Sequence, residues 1–266
     1  MNFFLWNVRG AGASSFPSRI RGLVHSFEID FVAIFEPRCS GAKAQHIAES
    51  LGFPYFKIVD ADGYKGGIWC LWSEKFRRVE VLETTNQYVH VRYTSQLMQV
   101  WEMTFVYGSP NIVLRRALWH DLLNLRPSVH IPWCLGGDFN AMLATDERCS
   151  WKDTRGSNRE FCRFVEDTVL DDLGFVGPPF TWKRTGMECR LDRVLGSSTW
   201  QETFPNTVVK HINWYKSDHR PLLLQLDGVV MKPHVDRPFQ CLAAWVLDER
   251  FPPFVSRSWR SDLTWT

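Results

Sequence analysis

Polar residues able to do chemistry stand at the ends of apolar runs throughout this chain. Asn7 follows the run Phe3-Phe4-Leu5-Trp6, Glu36 follows residues 30–35, and Tyr107 closes residues 100–107. Further on come Gly137-Asp138-Phe139-Asn140, Arg190-Leu191-Asp192-Arg193 and Ser217-Asp218-His219-Arg220-Pro221. A strand end is where a rigid sheet edge can present a carboxylate, amide, phenol or imidazole to a ligand. The inventory suits attack on a phosphodiester. A hard cation takes oxygen ligands, and Glu36 and Asp218 could supply them. A positioned base must activate water while amide or imidazole donors stabilise the developing charge, tasks that fit Asp138, Asn140 and His219.

Each residue also has a plainer reading. Glu36 before Pro37 could be an exposed strand end, Asn7 a turn former, Tyr107 a core residue, and Asp138 and Asn140 backbone-capping side chains. Asp192 could be a surface partner of Arg190 or Arg193. A serine-type triad within Ser217-Asp218-His219 is excluded, because neighbours in an extended chain point to opposite faces.

The elements that must position these groups are read from periodicity. Strands are expected at 2–6, 30–35, 55–59, 67–72, 78–82, 88–93 and 100–107, with Val89, Val91 and Tyr93 alternating against His90 and Arg92 as in a half-buried strand. Helices are expected at 18–27, at 42–51, along Leu114, Leu118, Leu122 and Leu125, and at 158–170. A strand at 131–135 is expected to end at Gly136-Gly137, and later strands at 180–183, 189–195, 207–212 and 222–226. Strands outnumber helices, which predicts a mostly antiparallel or mixed two-sheet sandwich flanked by helices. Residues 1–227 read as one domain. Residues 228–266, with Pro233, Pro238, Pro252 and Pro253, read as a linker or the truncated start of another region.

Composition sets bounds. The 266 residues are 45% hydrophobic and 23% charged, as in an ordinary globular chain. A net charge of +2 does not by itself demand an anionic partner. Between Lys183 and Arg220, however, seven basic residues face four acidic ones. The seven cysteines are odd in number, scattered and never CxxC, which argues against a disulfide framework or zinc site and for a reducing compartment. No apolar run has membrane-spanning length and no signal core follows the N-terminus, so an intracellular, soluble protein is expected.

The order Trp6-Asn7, Glu36, Tyr107, Gly137-Asp138-Phe139-Asn140, Asp192 and Ser217-Asp218-His219 resembles the ordered signature of the endonuclease/exonuclease/phosphatase superfamily across residues 2–226. The resemblance implies a DNase I-like fold: a four-layer α/β sandwich of two mixed β-sheets packed face to face and flanked by helices. It implies Glu36 as principal metal ligand with Asn7 and Asp218 close by, for Mg²⁺ or alternatively Mn²⁺. Asp138 would position or deprotonate the attacking water, Asn140 would hold the phosphate, and Tyr107 would contact the phosphate or leaving oxygen. His219, oriented by Asp192, would donate to a non-bridging oxygen.

Within the superfamily the details resemble LINE-type retrotransposon endonucleases. Arg9 stands where abasic-site repair enzymes carry an acidic residue, and Glu36-Pro37-Arg38 departs from the common Glu-Thr-Lys, leaving Arg38 as a substitute cation. Lys65-Gly66-Gly67-Ile68-Trp69, Phe180-Thr181-Trp182-Lys183 and Arg190-Leu191-Asp192-Arg193 resemble LINE segments, and residues 237–245 resemble the stretch leading to a reverse transcriptase, no segment of which follows in this sequence. The resemblance implies a nuclear, DNA-nicking endonuclease whose Arg9, Arg38, Thr181, Lys183, Arg184 and Arg193 hold DNA. Two other readings are an inert retroelement remnant and a small-molecule phosphoesterase.

Overall fold

The computed structural model describes residues 1–150 and 159–228. The segment expected to be a linker or a truncated further region therefore lies, beyond Gly228, outside the described residues, as does Asn158.

The chain begins with β1 (Asn2–Asn7), α1 (Phe16–Ser26), β2 (Phe31–Phe35) and α2 (Gly41–Glu49). β1 and β2 run parallel, with Asn7 opposite Phe35. Pro17 in the first turn presets the backbone for α1, where its missing N–H costs nothing. β3 (Tyr55–Val59), β4 (Ile68–Trp72), β5 (Val79–Thr84), β6 (Tyr88–Thr94) and β7 (Val100–Tyr107) follow. Next come α3 (Ile112–Leu125), capped by Asn111 accepting from Val113 N–H, then β8 (Trp133–Asp138) and β9 (Arg148–Ser150). α4 (Arg159–Thr168), β10 (Asp171–Asp172), β11 (Trp182–Arg184), β12 (Met187–Cys189) and β13 (Asp192–Gly196) continue the chain. It closes with α5 (Ser198–Thr203), β14 (Val208–His211) and β15 (Leu222–Gln225).

One six-stranded sheet has the order β14-β15-β1-β2-β4-β3, and the other β10-β13-β8-β7-β6-β5. Both are mixed, each with a single parallel pair near its centre: β1 with β2, and β7 with β8. β11, β12 and β9 form a small third sheet. Alternation along β1 shows the layering. Phe3 and Leu5 enter the core between the sheets, whereas Phe4 and Trp6 pack under α1 and α2. On the far side Leu118, Leu122, Phe161 and Phe164 of α3 and α4 cover Leu135 and Leu195. The result is the expected four-layer sandwich. Across its centre Phe31 and Phe105 stack with ring centroids 4.6 Å apart, joining the two sheets. Each such buried ring contributes about 1.5–3 kcal/mol relative to exposure.

Three expectations need correction. β8 does not end at Gly136-Gly137 but runs through both glycines to Asp138. Glycine is required here by close approach. A Cβ on Gly137, whose φ is +144°, would lie 2.1 Å from the Val106 carbonyl oxygen, and one on Gly136 would lie 2.8 Å from Leu5. Residues 189–195 are two strands, β12 and β13, broken at Arg190-Leu191. β6 is covered on both faces: His90 is buried between Thr104 and Glu102, at 2.9 and 3.1 Å, where charged neighbours make a polar residue tolerable inside.

Candidate active site

Topology gathers the polar strand ends. Because β1 and β2 are parallel, Asn7 and the Glu36 that follows Phe35 emerge at the same edge. Because β7 and β8 are parallel, Tyr107 and Asp138 are register partners at their ends. β13 runs antiparallel to β8 and starts at Asp192, directly opposite Asp138. β15 is antiparallel to β1 and starts just after Asp218-His219, so that segment arrives at the end of β1.

The deepest group is Asp138, fully buried. Its Oδ2 accepts from Asn7 Nδ2 at 2.9 Å and Asn140 Nδ2 at 3.2 Å, and its Oδ1 from the Asn140 backbone N–H at 2.9 Å. His219 Nε2 stands 3.7 Å from Asp138 Oδ2, while Nδ1 donates to Asp192 Oδ2 at 2.9 Å. Burial, with the Asp192 charge, pushes Asp138 up to about 7 against the pull of His219. For His219 burial acts downward, yet Asp192 and Asp138 outweigh it and raise the imidazole to about 9. The imidazole is therefore a cation at neutral pH, aimed at a carboxylate that holds its charge reluctantly.

Glu36 and Asp218 stand nearer the surface. Glu36 Oε1 accepts from the Tyr107 hydroxyl at 2.7 Å. Burial, then the Glu36 charge, pushes the phenol far upward, which keeps it a neutral donor. Arg38 caps Glu36 Oε2, and Arg9 reaches both that oxygen, at 3.8 Å, and Asp218 Oδ2. Arg9 N–H donates to Asn7 Oδ1 at 3.2 Å. Asn7 thus links the deep carboxylate to the outer pair. All eight expected catalytic and metal residues fall in one connected network, with Arg9 and Arg38 turned inward upon it.

Arg9 and Asp218, in contact with each other, each line a hollow. One, of about 480 Å³, is lined by Arg9, Glu36, Arg38, Tyr64, Lys65, Gln87 and Tyr107. The other, of about 600 Å³, is lined by Lys183, Arg184, Glu188, Ser217 and Asp218. A larger hollow over Tyr88, His90, Arg92 and Glu102 holds none of these site residues, and Arg92 and His90 already satisfy its buried carboxylate.

The expected DNA contacts divide. Lys183 and Arg184 are exposed on the β11–β12 hairpin, and Lys183 Nζ lies 4.4 Å above the Trp214 ring that Arg220 also covers, at 4.2 Å. Arg193 and Thr181 are corrections. Arg193 is fully buried and paired with Glu147 and Asp172 at 2.7 and 2.9 Å, so its charge is already spent inside the fold. Thr181 is fully buried too, and its hydroxyl accepts from Leu191 and Asp192 N–H, which fixes the start of β13.

Several positioning residues were missed. Trp6 Nε1 donates to the His219 carbonyl, Ser217 Oγ donates to the Asn7 carbonyl, and Trp182 Nε1 donates to Asp218 Oδ2. Trp6 and Ser217 stand within the family-like signature and Trp182 within a LINE-like segment, but the sequence alone assigns none of them a role of its own.

The acidic groups offer two places for a cation. Ligand atoms of Asp138, Asp192 and His219 lie within 4.8 Å of one another, but the imidazolium already supplies the positive charge there. At the outer pair, Asp218 Oδ1 is buried without a partner, and carboxylate oxygens are what a hard dication takes. The outer pair fits the ion better.

The sequence profile of the Endonuclease/Exonuclease/phosphatase family matches residues 4–219. The chain belongs to that family. No curated protein sequence matches it. Among solved structures, an AP endonuclease from Leishmania major is 13% identical with a TM-score of 0.68, covering 84% of this chain and 86% of its own. A 3′ phosphatase from Neisseria, bound to a product DNA hairpin, is 15% identical with a TM-score of 0.63 over 86% of this chain and all of its own. The endonuclease domain of TRAS1, a telomere-specific non-LTR retrotransposon, is 14% identical with a TM-score of 0.59, over 84% and 97%. At such identities the likeness speaks for the fold. Family and fold together make this a hydrolase fold of nucleases and phosphatases. No helix among the described residues is long and apolar enough to cross a membrane.

Proposed function

We propose that this chain is a divalent-metal-dependent phosphodiesterase that nicks DNA, the endonuclease domain of a non-LTR retrotransposon. The observation that carries the reading is the placement of Glu36 and Asp218 at the rim of a buried Asp138–His219–Asp192 arrangement. Glu36 and Asp218 would hold the ion, Mg²⁺ or Mn²⁺, which when bound neutralises charge at the scissile phosphate.

The chain's own groups do the rest. Asp138, whose carboxylate form is favoured by the His219 cation and hydrogen-bonded by Asn7 and Asn140, takes the proton of the attacking water. As water oxygen bonds to phosphorus the P–O3′ bond breaks, and the departing oxygen takes a proton from solvent to become a 3′-hydroxyl that a polymerase could extend. His219 keeps Nδ1 on Asp192 and offers Nε2–H to a non-bridging oxygen, where charge grows in the transition state. Tyr107 holds Glu36 in place through its hydroxyl.

DNA as substrate is supported by the Lys183–Trp214–Arg220 stack beside Asp218, which combines phosphate-neutralising charge with aromatic faces. The retrotransposon origin rests on the TRAS1 likeness together with the LINE-like segments, and on that reading residues 228–266 are a linker or the start of a reverse-transcriptase region and the protein acts in the nucleus. Incubation with supercoiled plasmid and Mg²⁺ should yield nicked circles. EDTA, Glu36→Ala or His219→Ala should abolish them. Turnover of inositol phosphates or nucleotides without nicking would move the reading to a small-molecule phosphoesterase, and inactivity on every substrate would make the chain an inert remnant.

A further inference from the structure

Arg9 is not placed as an ordinary surface cation. Its backbone is left-handed, with φ +49°, a conformation that costs a non-glycine residue about 1 kcal/mol or more and persists only where the surroundings impose it. Arg9 N–H is tied to Asn7 Oδ1, and the next N–H, of Gly10, donates to the Glu36 carbonyl at 2.8 Å. Glu36 and Arg38 are left-handed as well, with φ +51° and +55°. This braced pair of turns aims the Arg9 guanidinium so that Nη1 donates to Asp218 Oδ2 while Nε faces Glu36 Oε2.

The guanidinium therefore bridges the two carboxylates assigned above to the ion. Two carboxylates, Glu36 and Asp218, face two guanidinium groups, Arg9 and Arg38, and their formal charges cancel. Arg38 touches only Glu36 of the pair, so Arg9 alone spans both. A dication arriving there meets a positive charge already seated and must take oxygens that Arg9 holds. Arg9 can yield: its side chain is 44% exposed, against 10% for Glu36.

We propose that Arg9 is a resident counter-cation of the metal site, occupying the Glu36–Asp218 pair in the ion-free chain and leaving it when a divalent ion binds. Binding of Arg9 and of the ion is mutually exclusive. The arginine therefore sets the concentration at which the site fills, and it spares the ion-free fold an Asp218 carboxylate with no counter-charge beside Glu36, which Arg38 already pairs. The inference rests on the assignment of the ion to Glu36 and Asp218.

The test is direct ion binding, with no substrate present. Mn²⁺ is titrated calorimetrically, and by the loss of free-ion EPR signal, into the full chain and into Arg9→Ala, Arg9→Gln, Arg38→Ala and Glu36→Gln. Because the ion must displace an arginine charge seated 3.8 Å from Glu36 in a partly wet site, losing that charge should tighten Mn²⁺ binding about tenfold or more in both Arg9 variants. The same variants should melt lower than wild type in EDTA, yet gain more from added Mn²⁺. Arg9 variants that bind Mn²⁺ no better than wild type would overturn the proposal while leaving the site intact, provided Glu36→Gln still abolishes binding. Equal binding by wild type and Glu36→Gln would instead remove the metal assignment itself, and the counter-cation role with it.

Discussion

Asp192 and His219 lie 27 residues apart in the chain and are joined by a 2.9 Å hydrogen bond inside the protein, each almost wholly buried. The carboxylate fixes which imidazole nitrogen carries the structural hydrogen bond and holds the ring's proton against burial. The other nitrogen is left facing Asp138. Asp192 is hydrogen-bonded to the histidine and acts on the cleft through it, so its part is positioning.

That relationship predicts a titration. In the ion-free chain, the ¹⁵N resonances of the His219 ring should report an imidazolium up to about pH 9. Asp192→Asn should bring the transition down by at least about one unit, since a neighbouring opposite charge is worth one to three. An unchanged midpoint would show that Asp192 does not hold the proton.

Stability should fall as the pH rises. Asp138 and His219 both have folded-state values above their usual ones, near 7 and 9 respectively. Each therefore stabilises the fold most at low pH, and its contribution disappears as pH climbs through the folded value. Asp138's share is lost by about pH 7 and His219's between about pH 6.5 and pH 9. In EDTA the melting temperature should therefore decline up to about pH 9, and His219→Gln should flatten the part of the decline above about pH 7. A rise over this range would contradict the placement of these groups.

Asp138→Asn should cut plasmid nicking by about 10²–10⁴-fold, the range for loss of a general base. Nearly full activity in that variant would assign the proton to another acceptor.

Arginine and lysine substitutions should separate by burial. Arg193→Ala strands Glu147 and Asp172 without their inner partner, which costs about 3–5 kcal/mol in a buried pair, so thermal unfolding should shift sharply. Lys183→Ala and Arg184→Ala should leave melting unchanged and weaken DNA binding, each reducing the slope of log affinity against log salt by about one. A lowered salt slope in a normally folded Arg193→Met protein would reverse the assignment.

Gly137→Ala should be among the most damaging single-methyl additions. The new Cβ would meet the Val106 carbonyl oxygen and a left-handed φ together, so the end of β8 must shift and carry Asp138 with it. Loss of both melting temperature and nicking is expected, measured side by side. Retention of either would show that the strand end can relax.

The polar strand ends and the run of apolar elements were legible from the sequence, because a strand buried on both faces must be apolar almost throughout and a reacting group can only follow it. The layering followed from the same logic. What the chain alone left undecided was which charged residues face the cleft. Arg193 and Arg184 look alike in sequence, yet one is sealed against Glu147 and Asp172 and the other is exposed on a hairpin. Periodicity names the face of a strand but not what covers it, which is why His90 turned out buried and β8 ran on through two glycines. Asp138, Asp192 and His219 become neighbours only when β8, β13 and the segment before β15 meet at one edge, and that is decided by strand pairing across long stretches of chain. Arg9, expected from the sequence to hold DNA, meets two carboxylates because a left-handed turn, tied to Asn7 and Glu36, points its guanidinium at them.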